Sequence, residues 1–353
     1  MGAQQSAKKE IRKIQMTGGS TYIISLPKKW VLKSNLKKGS PVTLVVQNDG
    51  TLCIVPESEK KTIEPAEAII YASDNETSTV IRKLISVYLA GYDTIIIKSK
   101  KTTLLPSQKR MIKSFVKRML VGTEIIGETQ NEIMLKVLLS YPTLVARSVL
   151  RRMSLIASSM HKTAITALRI INKDLAQDVI AMDDDVDRFN LYIIRQLRAA
   201  ALNETVLREI GLSSIVECFE YRIVSKTIER VADHATKISE RILTMTTPLK
   251  KEIYEQIKTM STLAISAFEE SIEALFRKDF TRANEIIDNV NQVIALEDKI
   301  TSMLLRERGV GDISNHRIIL ESIRRTAEYA RDIAEIVLDI TIDETLKRNR
   351  KRQ

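Results

Sequence analysis

The sequence predicts a multidomain chain: a small β-barrel, a βαβαββ α+β module and an all-α pair of three-helix bundles. Three observations carry this. Eight of eleven glycines lie before residue 128 and five of seven prolines before residue 107, so turns crowd the first third and helices fill the rest. Between residues 66 and 140, strand-like and helix-like runs alternate. Beyond residue 142 the chain repeats itself. RVADHATKISE at 230–240 matches RTAEYARDIAE at 325–335 in five of eleven positions, and AITAL at 164–168 answers SIEAL at 271–275. A repeat of about 100 residues denotes a duplicated bundle rather than a solenoid.

Residues 8–56 form the first domain. IRKIQM and STYIISLP read as strands around Gly18-Gly19, and KKWVLKSN as a basic helical turn. VTLVVQ and TLCIVP read as strands joined at Asn48-Asp49-Gly50. So short a run of strand and turn buries too little core to stand alone. A homodimer is therefore expected, two chains completing one barrel with Trp30 as a core plug. In the module at 66–140, AEAIIYA and DTIIIKS are strands, followed by the helices TSTVIRKLISVYLAGY and PSQKRMIKSFVKRML. TEIIGE and EIMLKV close it. Asp93 follows a Gly-Tyr turn without a phosphate-binding glycine pattern and is assigned no chemistry. The helical part spans 142–346, with three amphipathic helices in 142–245 and three in 248–346. Pro142 and Pro248 open the two sets as first-turn prolines. Asn172-Lys173-Asp174 and Lys278-Asp279 mark the first turn-over of each. The basic tail 347–353 reads as frayed.

Charged residues make up 28% and hydrophobic residues 44% of the chain, ordinary values for a soluble globular protein. No apolar run suits a bilayer span and no secretory signal is present. Cys53 and Cys218 look like reduced thiols. A cytoplasmic protein without membrane insertion is expected. Met1–Ser6 matches the short N-myristoylation pattern. The net charge of +11 is uneven, for residues 1–60 hold 10 Lys/Arg against 4 Asp/Glu. A basic module of this kind suits the phosphates of nucleic acid. A second basic group, Lys100, Lys101, Lys109, Arg110, Lys113, Lys117 and Arg118, reads as a solvated helix face.

The strongest chemical signal is acidic. Asp183 and Asp187 are four apart within DDDVD, and so are Glu229 and Asp233 within ERVADHA. On a helix each pair stacks on one face, where like charges repel by a few tenths of a kcal/mol. Four carboxylates from two facing helices make a cage for a divalent or iron-type cation of unknown identity. The competing reading is a set of surface carboxylates balanced by Arg188 and Arg230. Ungapped counting gives Asp288, Gln292, Arg324 and Glu328 as counterparts in the second bundle. There Asp288 and Glu328 remain as weaker candidate ligands, and Glu297 and Glu321 could substitute after a helix shift. Enzyme chemistry lacks its signatures. A di-iron site needs Glu-x-x-His, yet Ala232 stands three after Glu229, and no acid stands three before His161, His234 or His316. P-loop, Gly-x-Ser-x-Gly and Cys-x-x-Cys patterns are absent. A metal-hydroxide hydrolase stays open without an obvious base, but the chain is not expected to be an enzyme. His234 reads as a residue that packs or supports the acidic pair from behind rather than as a ligand.

On its duplicated bundle and its DDDVD and ERVADHA motifs, the helical part resembles the PhoU family of phosphate-uptake regulators. That resemblance implies metal clusters on the acidic motifs and contacts with a phosphate ABC transporter and a signalling kinase. Residues 8–56 resemble the SpoVT-AbrB swapped-hairpin domain, a dimeric DNA-binding barrel. The matching residues are Arg12-Lys13-Ile14, Gly18-Gly19-Ser20, Ile24-Ser25-Leu26-Pro27, Leu36-Lys37-Lys38-Gly39 and Asp49-Gly50. This implies DNA binding through Arg12, Lys13, Lys28, Lys29 and Lys33. Val31-Leu32 stand where that family carries an arginine pair. The expectation is a phosphate-responsive regulator that binds DNA. The alternative is an adaptor whose barrel only dimerises it.

Overall fold

The computed structural model describes residues 10–46, 50–56, 67–72, 77–100, 103–139, 145–306 and 313–350. The chain divides into two compact units, residues 1–65 and 66–353.

In the first unit, β1 (Gln15–Thr17) and β2 (Thr21–Ile23) form one antiparallel hairpin, and β3 (Val42–Val46) and β4 (Leu52–Pro56) another. The turn between β1 and β2 takes Gly18 and Gly19 at φ 62° and 77°, a region that costs other residues strain. Between the hairpins lies α1 (Lys28–Lys33). Asn48, Asp49, the segment 1–9 with its myristoylation pattern, and Lys8 and Lys9 lie outside the described residues. Only Ser34 and Pro56 are buried among those described here, while Ile11, Met16, Tyr22, Leu44 and Val46 are all more than half exposed. Trp30 is half-buried rather than a plug within one chain.

The second unit opens with β5 (Glu67–Ala72), α2 (Thr77–Ala90), β6 (Thr94–Ser99), α3 (Pro106–Met119), β7 (Thr123–Glu128) and β8 (Glu132–Val137). This is the predicted βαβαββ order. The sheet runs β5-β6-β8-β7, parallel between β5 and β6 and antiparallel elsewhere. Leu84, Tyr88, Ile95, Ile97, Ile112 and Val116 fill its core.

Two bundles follow. The first contains α4 (Ala146–Leu168), α5 (Lys173–Leu202) and α7 (Ile215–Thr244), with a short α6 (Glu204–Glu209) that the periodicity does not predict. The second contains α8 (Lys251–Arg277), α9 (Phe280–Arg306) and α10 (Ile313–Arg350). Asn172 caps α5 by accepting from the Leu175 N–H, and Lys278 ends α8 in the left-handed conformation, as the turn-over residues suggested. One boundary expectation is corrected. Pro248 precedes α8 instead of opening it, since the helix starts at Lys251. Pro142 lies outside the described residues, and α4 begins at Ala146. Backbone helix continues in α10 to Arg350, so the start of the basic tail is not frayed. One hydrophobic core runs through both bundles, with α4 packing on α8 and α7 on α10. Among the described residues no helix is long and apolar enough to cross a membrane. Cys53 and Cys218 are free thiols.

A candidate metal centre on helices α5 and α7

Helices α5 and α7 pack along their length, and the two acidic pairs sit where they face each other. On α5, buried Val186 points into the core and leaves Asp183 and Asp187 half-buried at its flank. On α7, buried Val231 and Ala232 do the same for Glu229, which is 8% exposed, and for half-buried Asp233. Each acid pair thus rides on the edge of an apolar stripe, which carries it toward the opposite helix.

The electrostatics report a negative charge in need of a partner. Burial first, then Asp233, Glu229 and Asp184, push Asp183 up to about 6; the nearby Thr236 hydroxyl opposes this. Burial first, then Asp183, Glu229 and Asp233, push Asp187 up to about 7, with Lys226 opposing. Asp233 is raised by burial first and then by Glu229, with Lys226, Lys237 and Arg230 opposing. Oδ1 of Asp183 and Oε2 of Glu229 are buried without a hydrogen-bond partner. Desolvated oxygens without partners cost free energy unless something else meets them.

The surface-carboxylate reading requires Arg188 and Arg230 to balance the four acids. Arg188 instead lies 3.7 Å from Asp185, and exposed Arg230 lies over the Tyr329 ring, its centroid 5.9 Å away. The nearest cation is Lys226, paired with Glu229 alone. The donor set, all oxygen and mostly anionic, fits a hard or borderline cation. As the side chains stand, no three carboxylate, imidazole or thiol groups among the described residues converge into a ready-made cage. A cation here would therefore require rotamer movement, which half-buried carboxylates on a helix flank permit.

The three histidines stay apart from this chemistry. His234 turns toward α10, its ring 5.7 Å from Tyr329, and burial first pushes it down to about 4. His161 is fully buried beneath α8, 2.8 Å from the Ser261 hydroxyl, and burial lowers it likewise. His316 is buried in α10.

The remaining predicted residues fall as follows. Lys28, Lys29 and Lys33 are exposed on α1, with Lys29 and Lys33 one turn apart. Arg12 and Lys13 are exposed, and Arg12 pairs with Glu10 at 2.5 Å. On α3, Lys113 lies 2.9 Å and Lys109 3.7 Å from Glu128, so part of that basic face is spent on ion pairs. In the second bundle Asp288 and Gln292 are exposed on α9. The carboxylate that meets α10 is Glu297, 2.8 Å from Arg324, which also pairs with Glu328. Glu297, one of the two substitutes after a helix shift, is thus the α9 carboxylate that meets α10, where ungapped counting gave Asp288 and Gln292.

Two contacts at this site carry no local sequence signal. Arg118 of α3 reaches Asp184 at 3.2 Å and so ties the α+β module to the acidic run. Arg195, two turns beyond Asp187 on α5, is 2% exposed and plugs the C-terminal end of α2. Its Nη1 donates to the carbonyls of Tyr88 and Tyr92, and its Nη2 to the Gly91 carbonyl and to Asp93 at 2.9 Å. Asp93, assigned no chemistry from the sequence, is the counter-ion of this clamp.

Comparison with known proteins agrees with this architecture. Residues 150–242 and 257–337, the two bundles, match the PhoU domain. Residues 15–62 match the domain described as antidote-toxin recognition MazE, bacterial antitoxin. The phosphate-specific transport system accessory protein PhoU homolog 1 of Thermotoga maritima is 23% identical over 212 residues, covering 58% of this chain and 89% of its own. The PhoU homolog of Pseudomonas aeruginosa is 24% identical over 202 residues, 54% of this chain and 80% of its own. The crystal structure of PhoU from Pseudomonas aeruginosa covers 55% of this chain and 93% of that one, at 22% identity and a TM-score of 0.48. With both bundles matched and a swapped-hairpin domain ahead of them, this chain belongs to the PhoU family.

Proposed function

We propose that this protein is a regulator of phosphate uptake, not an enzyme, with a metal-dependent bundle and a dimeric N-terminal domain that binds DNA. The carrying observation for the bundle is the set of four acids on α5 and α7, with two buried oxygens unpartnered. A divalent or iron-type cation, when bound, supplies the missing positive charge. Asp183, Asp187, Glu229 and Asp233 would hold it. They come from two helices, so occupancy would lock α5 against α7. Through Arg118 and Arg195 the same helix α5 is fixed to the α+β module, so a change in α5 would reach that module first.

The N-terminal unit supports dimerisation by what it leaves uncovered. Its hairpins bury almost nothing in one chain, and large apolar side chains stand open on both. An apolar surface of this extent calls for a partner, and a second copy offers the same hairpins. Exposed Lys28, Lys29 and Lys33 on one helix would then be doubled. Contacts of this kind read phosphates and position the protein without specifying bases. Coupling of metal or partner binding to DNA binding requires two states biased from both ends.

Binding to the protein's own upstream DNA across a salt series tests this reading. Wild type should bind with log Kd rising steeply with log salt. Lys29→Ala/Lys33→Ala in each protomer should reduce the slope by about 0.9 for each phosphate that is no longer neutralised. Affinity no better than for random DNA would reject specific DNA binding, and no salt-dependent binding to either DNA would reject DNA binding altogether. The adaptor alternative, in which the domain only dimerises and the bundles contact a phosphate ABC transporter or a signalling kinase, draws on Arg12. Its guanidinium is already paired with Glu10, and Val31 and Leu32 stand where related domains carry arginines. Under it, the lysine variant would match wild type in every DNA assay and retain its dimer.

A further inference from the structure

The second bundle repeats the frame of the first, but it closes its polar seam with a cation of its own. Arg324 precedes Arg325 on α10 as Glu229 precedes Arg230 on α7, so it occupies the place of a ligand candidate. Its Nε lies 2.8 Å from Oε2 of Glu297 on α9, and its Nη1 bonds Glu328 one turn along its own helix. Arg325 reaches the other oxygen of Glu328 at 2.9 Å.

These contacts set a correspondence between the bundles. On α7 and α10, Glu229 answers to Arg324, whose guanidinium meets Glu297 across the α9–α10 seam. Asp233 then answers to Glu328. Asn172 and Asp279 cap α5 and α9 alike, each accepting from the N–H three residues on, and by that count Asp183 answers to Val290, 1% exposed, Asp187 to half-buried Ile294 and Asn190 to Glu297. Four acids in the first bundle thus become one acid, two apolar residues and a guanidinium in the second, with Glu297, three residues beyond Ile294, as the carboxylate of α9 that meets that guanidinium. The oxygens respond accordingly. Asp183 and Glu229 each leave one buried oxygen without a partner, whereas neither Glu297 nor Glu328 does.

A guanidinium stays charged at all working pH values and bonds carboxylates through a fixed fork. The side chains of Arg324, Glu297 and Glu328 are 23%, 20% and 16% exposed, so these pairs are shielded from solvent more than ordinary surface bridges. A metal ion entering here would face a tethered positive charge already bonded to its two best ligands. Beside the guanidinium opens a cleft of about 540 Å³, into which Asp298 and Glu321 also face. Remove Arg324, and Glu297, Asp298 and Glu321 line that space with Arg317 as its remaining cation.

We infer that Arg324 is a built-in replacement for metal in the second bundle, which makes the two halves of the protein unequal: one metal-dependent, the other permanently neutralised. The metal dependence of the first half rests on the function proposed above; the role of Arg324 does not.

The test uses full-length protein and Mn2+ as the probe. Bound metal per chain is measured by equilibrium dialysis with elemental analysis, and the thermal midpoint is measured with and without Mn2+. The variants are Arg324→Ala, Arg324→Glu, Arg324→Lys, Glu297→Gln and Glu229→Gln/Asp233→Asn. Arg324→Ala and Arg324→Glu should each take up a further Mn2+ ion relative to wild type, with a midpoint that is lowered in chelator and recovers with Mn2+. That gain should persist when combined with Glu229→Gln/Asp233→Asn. Arg324→Lys, which retains a cation, should keep wild-type uptake. Wild type without bound Mn2+ would remove the first-bundle reading, yet a gain in Arg324→Ala would still carry this inference. It is overturned if no Arg324 variant gains metal, if Mn2+ fails to restore their midpoints, or if wild-type uptake survives Glu229→Gln/Asp233→Asn and disappears in Glu297→Gln.

Discussion

Arg195→Ala is the sharpest structural test of how the α+β module is held to the bundles. Helix α2 ends at Ala90, and the last carbonyls of a helix lack intrahelical partners. Arg195 supplies the donors: Nη1 lies 2.5 Å from the Tyr88 carbonyl and 3.0 Å from that of Tyr92, and Nη2 3.3 Å from that of Gly91. The same group pairs with Asp93 and sits 5.0 Å from the Tyr88 ring centroid. Truncation therefore removes one charge and four hydrogen bonds, and leaves a hole in a packed seam. Loss of one partner of a buried pair costs about 3–5 kcal/mol. Asp93 is 31% exposed and can rehydrate, so the lower end applies, about 3 kcal/mol. Arg195→Lys keeps the charge but cannot fork, and should cost about 1–2 kcal/mol. Urea unfolding followed by circular dichroism gives the stability. Hydrogen exchange over residues 77–99 shows where it is reduced. A change within about 0.5 kcal/mol of wild type, with protection of α2 and β6 intact, would refute the clamp, because ordinary surface substitutions fall in that range.

The acidic site makes a signed pH prediction. Asp183 and Asp187 have folded-state values near 6 and 7 against 3.8 when unperturbed, so the folded state holds protons that the unfolded state has released. Stability of the metal-free protein should accordingly fall as pH rises from about 4 to about 7. Asp187→Asn should flatten this fall and stabilise metal-free protein at pH 7.5 by roughly 1 kcal/mol after screening; an unchanged pH profile in a thermal melt would contradict the repulsion. Leu44→Glu/Val46→Glu places charge on the open face of β3 and should yield monomers in light scattering, with wild type dimeric. Gly122→Ala should lower stability by at least about 1 kcal/mol in thermal melts, because Gly122 has φ 67° and a Cβ there would lie 2.2 Å from Leu139 Cγ. Leu139 packs against both hydrophobic cores, so the substitution should loosen their junction.

Much of the fold was legible because its signals are local. Alternating apolar residues gave β5 to β8, and the i, i+3, i+4 pattern gave α4, α5 and α7 to α10. Asn172 and Lys278 marked turn-overs through their own capping geometry. The short α6 escaped because a helix of six residues offers too few turns for a periodic signal. Proline positions misled near α8, since Pro248 favours an extended approach as readily as a first turn.

The sequence by itself determined the spacing of Asp183 with Asp187 and of Glu229 with Asp233, and hence that each pair shares a helix face. It also determined that residues 8–56 carry apolar strands too short to enclose a core. Helix pitch and strand alternation fix such things within a few residues. Tertiary structure decided which faces meet. It chose Glu297 over Asp288 as the partner of α10, turned His234 toward Tyr329, and gave Arg118 to Asp184. It brought Arg195 to Asp93, two residues separated by 102 positions. The reason is geometric. Rotation and axial shift between two helices are set by the packing of their apolar ridges across elements distant in the chain, and no local pattern records that choice.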